Sequence, residues 1–382
     1  MKINKTIHYL CFYASSQSNY DIFPSAIPKI EYIIKTLKKN HEVVVVSIAK
    51  SKKGFIKSSV EKNSVLAKTF FFHTFKSRNL ILDKIDVLFR YIQLIFYIFL
   101  RVKKNDTLLI YHSLFYFKII KILKYFKKID YVIQVEELYS SVTPNLRHLE
   151  DIEVGYLKTF KKIIVVNDLL KKKFSTNIVK PIVCYGDYSK IDYKFESQQK
   201  VASSEVVLIY AGVIEQVRKA AFFAIDIIKF LPDNYKLFIL GFGDDKDILS
   251  LISKIDNFNG EHSNRIIFKG YLSGKKYSQV LLSADIGLSC HQYSDEDIIS
   301  ADNSFPSKIL TYLKHNLYVV SNDIKCVEKA SIANEITFFS DNDPEKAANA
   351  IKDINYFEKS DKLLVIKNLD EEFTGELKTL LK

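Results

Sequence analysis

Residues 285–322 read DIGLSCHQYSDEDIISADNSFPSKILTYLKHNLYVVSN. The stretch opens on an apolar strand that ends at Cys290 and then enters a polar, acidic loop. Ser304-Phe305-Pro306-Ser307-Lys308 opens a helix that runs to about His315, and a second apolar strand, Leu317–Val320, follows. Proline near the first helical position with serines around it is ordinary N-terminal chemistry. The backbone N–H groups and dipole at such a helix start form a seat for an anion, to which Lys308 adds a full charge.

The same alternation extends outward in both directions. Strand patterns occupy Val206–Ala211, Lys236–Leu240, Arg265–Phe268 and Ile336–Phe339, with a helix after most of them, and Pro344 to Lys382 reads as helical. In the first half, strands are expected at Thr6–Tyr13, Glu42–Ile48, Leu66–Phe72, Thr107–Tyr111, Tyr131–Val135, Lys162–Val166 and Pro181–Cys184. Helical spacing lies between them, as in Ile27, Ile30, Ile34 and Leu37. Short apolar strands separated by amphipathic helices predict parallel sheets covered on both faces. Tyr185–Ser204 is polar and aperiodic and marks a linker. The expected organisation is a Rossmann-like domain over residues 1–186, a second over 187–360, and a C-terminal helix over 361–382 that returns to the first. Ligands of such sheets bind at the carboxyl ends of the strands, here in a cleft between two domains.

Composition agrees with two globular domains. The 382 residues are 48% hydrophobic and 26% charged, with 11 Gly and 7 Pro, which excludes a disordered or collagenous chain. Cys11, Cys184, Cys290 and Cys326 form no CxxC pair, which disfavours a zinc ribbon or a dithiol centre and fits a reducing compartment. The N-terminal apolar run is short and alternates like a strand rather than a signal peptide, so the chain reads as cytoplasmic. A net charge of +12 calls for an anionic partner.

Three strands of the second half end in glycine. VLIYAGVIEQVRK (207–219) ends its strand at Gly212 and places Arg218 and Lys219 at the head of a helix, suited to a diphosphate or simply to solvent. LFILGFGD (237–244) ends in Gly241 and Gly243 without a full GxGxxG fingerprint, and IIFKGYL (266–272) ends in Gly270 followed by Tyr271.

The order of these segments resembles the C-terminal domain of GT-B glycosyltransferases. Family 4 is the nearest likeness, including enzymes of bacterial capsule and O-antigen polysaccharide synthesis. The likeness covers roughly 110 residues of the second half and, more weakly, SSQSNYD, LLIYHSL and YVIQVEELYS of the first. It implies an α/β chain of two Rossmann-like domains facing across a cleft. It also implies transfer of a hexose from a UDP- or GDP-sugar to a lipid-linked or polysaccharide acceptor, with retention. Arg218, Lys219 and Lys308 would neutralise the departing diphosphate, and His112 would contact the transferred sugar. Gly212, Gly241, Gly243, Tyr271, Asn303, Ser304, Ser307, Ile309 and Thr311 would line the donor site, with Tyr271 at the nucleobase. Ser16, Asn19, Glu136 and Glu137 would meet the acceptor. Family 4 members usually carry Glu where this chain has Thr311, and often Glu at Asn303, so the ribose contact departs from the pattern.

Neither cofactor nor metal is implied, since basic residues replace the metal's electrostatic work and Asp295-Glu296-Asp297 reads as a solvated loop. The alternative is an altered GT-B relative, an epimerase or a sugar-phosphate-binding protein. From the residues alone, His112 reads equally as a surface histidine capping the next helix, and Glu136 and Glu137 as a solvated pair. Nucleic acid is disfavoured because the aromatics fall at core spacing. Leu114–Lys128 combines apolar and basic residues as a membrane-surface helix does, which assigns it to an anionic membrane. Ile85–Leu100 is too short and interrupted to span a bilayer and is expected to cover the sheet.

Overall fold

The computed structural model describes residues 5–14, 19–62, 67–191, 205–217, 219–262, 264–291, 301–354 and 361–382. Two compact units result: unit 1 is Met1–Asp187 with Phe373–Lys382, and unit 2 is Tyr188–Glu372.

Unit 1 contains β1 (Thr6–Cys11), α1 (Ile27–Lys38), β2 (Glu42–Ser47), β3 (Ser59–Lys62), β4 (Lys68–Phe71), α2 (Leu80–Arg101), β5 (Thr107–Tyr111), α3 (Phe117–Phe126), β6 (Asp130–Val135), α4 (Glu150–Leu157), β7 (Lys162–Val165), α5 (Asp168–Phe174) and β8 (Ile182–Val183). The sheet order is β8-β7-β6-β5-β1-β2-β4-β3. Every neighbouring pair is parallel except β3 with β4. In β1 only Thr6 escapes full burial, as expected of a strand covered on both faces. From β1 the chain builds outward through β2 and β4, then returns to the other side for β5 to β8. The topological switch point therefore lies between β1 and β5.

Unit 2 contains β9 (Val206–Ile214), α6 (Ala220–Ile228), β10 (Tyr235–Gly243), α7 (Asp245–Glu261), β11 (Ile266–Gly270), α8 (Gly274–Leu282), β12 (Ile286–Ser289), α9 (Lys308–Lys314), β13 (Tyr318–Asn322), β14 (Ile336–Phe339) and α10 (Pro344–Lys352). A last helix, α11 (Lys362–Leu380), begins in unit 2 and ends in unit 1. The sheet is wholly parallel, in the order β11-β10-β9-β12-β13-β14, with its switch point between β9 and β12. Helix α6, AAFFAIDII, is buried apart from Asp226, and Phe223 stacks on Phe339 at 5.8 Å. Buried Arg265 closes the turn after α6 by donating to the carbonyls of Ile228, Leu231, Pro232 and Tyr235.

Helix α2 covers the sheet as expected, Tyr97 meeting His8 of β1 at 2.9 Å and the Phe70 ring of β4 at 5.1 Å, but it also carries charges on its inner face. Asp86 and Arg90 point inward and pair at 2.8 Å. Asp86 accepts the Phe75 N–H, and Arg90 donates to the Ile48 carbonyl. Leu94, Tyr97 and Ile98 complete the inner face. Val87, Tyr91 and Ile95 are half-buried, and the other large apolar side chains of α2 are exposed. The inner charges satisfy buried backbone groups that an all-apolar face would leave unpaired.

Candidate functional site

In unit 2 the geometry of the switch point begins with strand pairing. β9 pairs with β12 only at Leu208 and Ile209, yet stays paired with β10 as far as Ile214 opposite Gly243. A crevice therefore opens beside β9 beyond Ile209. The continued pairing requires glycine on β10. A Cβ on Gly241 would lie 2.0 Å from the Gly212 carbonyl oxygen, and one on Gly243 would lie 2.1 Å from that of Ile214. These two residues, expected in the donor site, thus have a backbone-packing reason to be glycine.

Tyr312 of α9 sits where the strands part. Its hydroxyl donates to the Leu288 carbonyl at 3.2 Å and accepts from the Ala211 N–H at 3.0 Å. The ring occupies the space a Cβ on Gly287 would need, 2.2 Å from that position. Sequence reasoning missed Tyr312, although a glycine inside the buried strand IGLS was a signal of close approach.

One helical turn before Tyr312, Lys308 is carried to the crevice. Its Nζ lies 4.4 Å from the centre of the Tyr210 ring and 3.1 Å from where a Gly212 Cβ would be. The Tyr210 hydroxyl is turned to the Val213 carbonyl at 2.9 Å. Burial pushes the Cys290 thiol up to about 12 despite the nearby Lys308 charge, which disfavours the thiolate there.

Lys219 precedes α6, exposed, with φ 47°, a left-handed conformation that costs a non-glycine residue of the order of 1 kcal/mol or more. Arg218 lies outside the described residues, as do Asp295-Glu296-Asp297. Tyr271 is 63% exposed and meets Phe242 edge-on at 5.7 Å, so two aromatic rings stand at the carboxyl ends of β10 and β11.

Of the remaining expected donor contacts, Ser307 is exposed and its side chain makes no cap bond to α9, while others are engaged within the protein. Ile309 is fully buried and its N–H donates to the Pro306 carbonyl, so it faces the core and not a ligand. Thr311 donates its hydroxyl to the Ser307 carbonyl, and Ser304 to that of Ala301. Asp302 accepts the Cys326 N–H, and Asn303 beside it is half-buried.

At the unit 1 switch point, His112 directly follows β5 and is neither at the surface nor a helix cap. It is 1% exposed, and its Nε2 lies 2.6 Å from Glu153 Oε1. Glu153, on α4, also accepts the N–H groups of Tyr139 at 2.9 Å and Ser140 at 2.8 Å. Burial raises its pKa, but the bonds from His112 and Ser140 outweigh that and hold the carboxyl below its ordinary value. His112 Nδ1 is buried without a partner. Glu153 was not singled out in the sequence because Glu150 and Asp151 in the same turn look identical.

Glu136 is likewise engaged. It pairs with buried Lys29 at 2.7 Å and accepts from Gln134 Nε2 at 2.6 Å, and Gln134 in turn accepts from Tyr9. This corrects the reading of Glu136 as solvated. Glu137 is half-buried. Asn19 is exposed, its carbonyl accepting the Lys52 N–H, and Ser16 lies outside the described residues. Among the described residues, no group of three or more His, Cys, Asp or Glu is placed to hold a metal ion.

No protein-family model and no curated protein matches the chain. Solved structures do. An α,α-trehalose-phosphate synthase (UDP-forming) from Burkholderia xenovorans, in complex with glucose-6-phosphate, matches at TM-score 0.68 and 9% identity over 99% of this chain and 100% of that one. An E. coli structure described as trehalose-6-phosphate bound with UDP-2-fluoro glucose matches at 0.66 and 10%, over 99% of both chains. The sucrose-phosphate synthase of Thermosynechococcus elongatus matches at 0.65 and 12%, over 98% of both. Identities this low speak for fold and not for chemistry. With two parallel doubly wound sheets already evident, they establish that the chain has the two-domain, Rossmann-like GT-B fold.

Proposed function

We propose that the chain is a glycosyltransferase that moves a hexose from a UDP- or GDP-sugar to a glycan acceptor, with retention and without a metal. The observation that carries this reading is Lys308, held by the Tyr312 wedge beside Gly212 where β9 and β12 part. A cation on a rigid support at a switch point suits a diphosphate that gains charge as it leaves. Lys219 adds a second charge, and the exposed rings of Tyr271 and Phe242 offer faces to a nucleobase. The resemblance of residues 285–322 to family 4 and the synthases that share the fold both support it.

The acceptor is assigned to unit 1, where Asn19 is exposed, Glu137 follows β6 and Glu153 fixes the imidazole of His112 beyond β5. Family 4 likeness favours a lipid-linked or polysaccharide acceptor at the inner face of the plasma membrane. The fold neighbours raise glucose-6-phosphate as a comparison.

The test measures melting temperature with UDP-, GDP- and ADP-sugars, then transfer to lipid-linked glycan and to glucose-6-phosphate. A donor at 100 times its Kd should stabilise the chain by about 2.7 kcal/mol. Absence of both a melting shift and nucleotide release for every donor would sink the proposal.

A further inference from the structure

We infer that the outward face of α2, with α3 beside it, is a docking surface for an anionic lipid membrane. Ile81, Ile85, Leu88, Ile92, Phe96 and Phe99 recur at intervals of three and four residues, and all are exposed. At 1.5 Å per residue the stripe is about 27 Å long. The charged residues in the middle of the helix, Asp86 and Arg90, are turned inward against each other. Beside its buried inner face, which includes Leu94, Tyr97 and Ile98, the helix thus exposes a second apolar stripe of the kind a surface helix normally hides.

Charge identifies the occupant. Lys76, Arg78 and Lys84 are exposed around the start of the stripe, and Arg101, Lys103 and Lys104 around its end. Lys118, Lys121 and Lys128 are exposed on and just after α3, next to Ile122, Tyr125 and Phe126. From residue 76 to 128 no carboxylate is exposed: Asp86 and Asp106 are buried, and half-buried Asp83 pairs with Lys50 at 2.9 Å. Apolar bulk on a segment that exposes cations and no carboxylate of its own fits the headgroup region of an anionic leaflet. A second copy of the chain would set two cationic rims against each other, and nucleic-acid phosphates would meet the rim but not the apolar stripe. No described helix is long and apolar enough to cross a membrane, so α2 lies on the surface.

The two helices are held as one surface. Lys127 Nζ donates to the carbonyls of Ile98 at 2.6 Å and Phe99 at 2.8 Å, at the end of α2. The Tyr91 hydroxyl donates to the Phe115 carbonyl, and Arg90 lies over the Phe115 ring at 4.5 Å. The inference stands on unit 1 alone and is independent of the donor chemistry proposed for unit 2.

The chain contains no tryptophan, so a single Phe96→Trp substitution provides a reporter. Vesicles of phosphatidylcholine with phosphatidylglycerol should shift its emission to the blue and sediment the protein. A Phe230→Trp reporter in unit 2 should not shift. Phosphatidylcholine alone, or high salt, should weaken binding by about tenfold or more. The triple change Leu88→Gln, Ile92→Gln, Phe96→Gln should abolish sedimentation while keeping a cooperative melt and the response to donor, since these side chains lie on the exposed face of α2. Wild type that fails to sediment with anionic vesicles at low salt overturns the inference. So does a wild-type dimer that the triple change makes monomeric, or RNA that displaces the vesicles and still binds the triple variant.

Discussion

At the switch point of unit 1 each basic group meets a carboxylate: His112 meets Glu153 and Lys29 meets Glu136. At the switch point of unit 2 the strands part, a tyrosine fills the split, and Lys308 lies over an aromatic ring beside a glycine. The first arrangement extends the core to the end of the strands. The second stops the core one step short, leaving Gly212 and Lys308 only half-buried. The same doubly wound frame can therefore either extend its core to its carboxyl edge or leave a glycine and a lysine half-buried there, and the choice is made by a few side chains.

The largest expected effect tests whether glycine is required in unit 2 but not in unit 1. Gly241→Ala sets a methyl against the Gly212 carbonyl and should cost about 3 kcal/mol or more, read as loss of the cooperative melt. A wild-type melting temperature would show that β9 and β10 can separate at their ends without cost. Next, Lys308→Ala should lower turnover by about one to three orders of magnitude with little change in melting temperature. Lys308→Arg should recover only part, because the two cations differ in shape. Near-normal turnover in Lys308→Ala would remove the functional half of the comparison.

On the unit 1 side, Glu153→Gln should destabilise by about 3 kcal/mol, because a buried pair loses one partner. The pH dependence carries the sign. The folded pKa of Glu153 lies below its ordinary 4.5, so its contribution is present above that value and is lost as the pH falls toward the folded pKa. Wild type should lose stability steeply on acidification below about 4.5, and Glu153→Gln should lose less of it over the same window. Equal slopes would show that the Glu153 carboxylate does not carry this stability. The smallest effect is the counterpart of the first. Gly155→Ala, in α4 with nothing near its missing Cβ, should stabilise by about 0.5–1 kcal/mol. A loss of stability there would break the contrast from the other side.

Much of this architecture was legible as pattern. Glu42–Ile48 and Lys162–Val166 were read as strands and end one residue sooner, and FPSKIL opens α9 near the expected place. β9 runs three residues past its expected end at Ala211 because Gly241 and Gly243 allow the pairing, a partnership no local signal reveals. Edge strand β3 went unread because SVEK is short and polar. Apolar periodicity located α2 but could not say which side faced in, since that depended on backbone groups at Phe75 and Ile48. The site divided the same way. Lys308 and Gly212 stood in recognisable segments, whereas Tyr312 and Glu153 matter only through residues distant in sequence.

Gly287 and Tyr312 act as two halves of a joint: the ring fits because the strand has no side chain there, and its hydroxyl then ties β9 to β12. Such a joint limits how the site could be transplanted. The segment 301–315, moved into another doubly wound sheet, would bring its lysine to the same place only if the recipient strand had glycine opposite the ring. Without it α9 would have to ride higher on the sheet, and the charge would be displaced with it although every residue of the segment was retained.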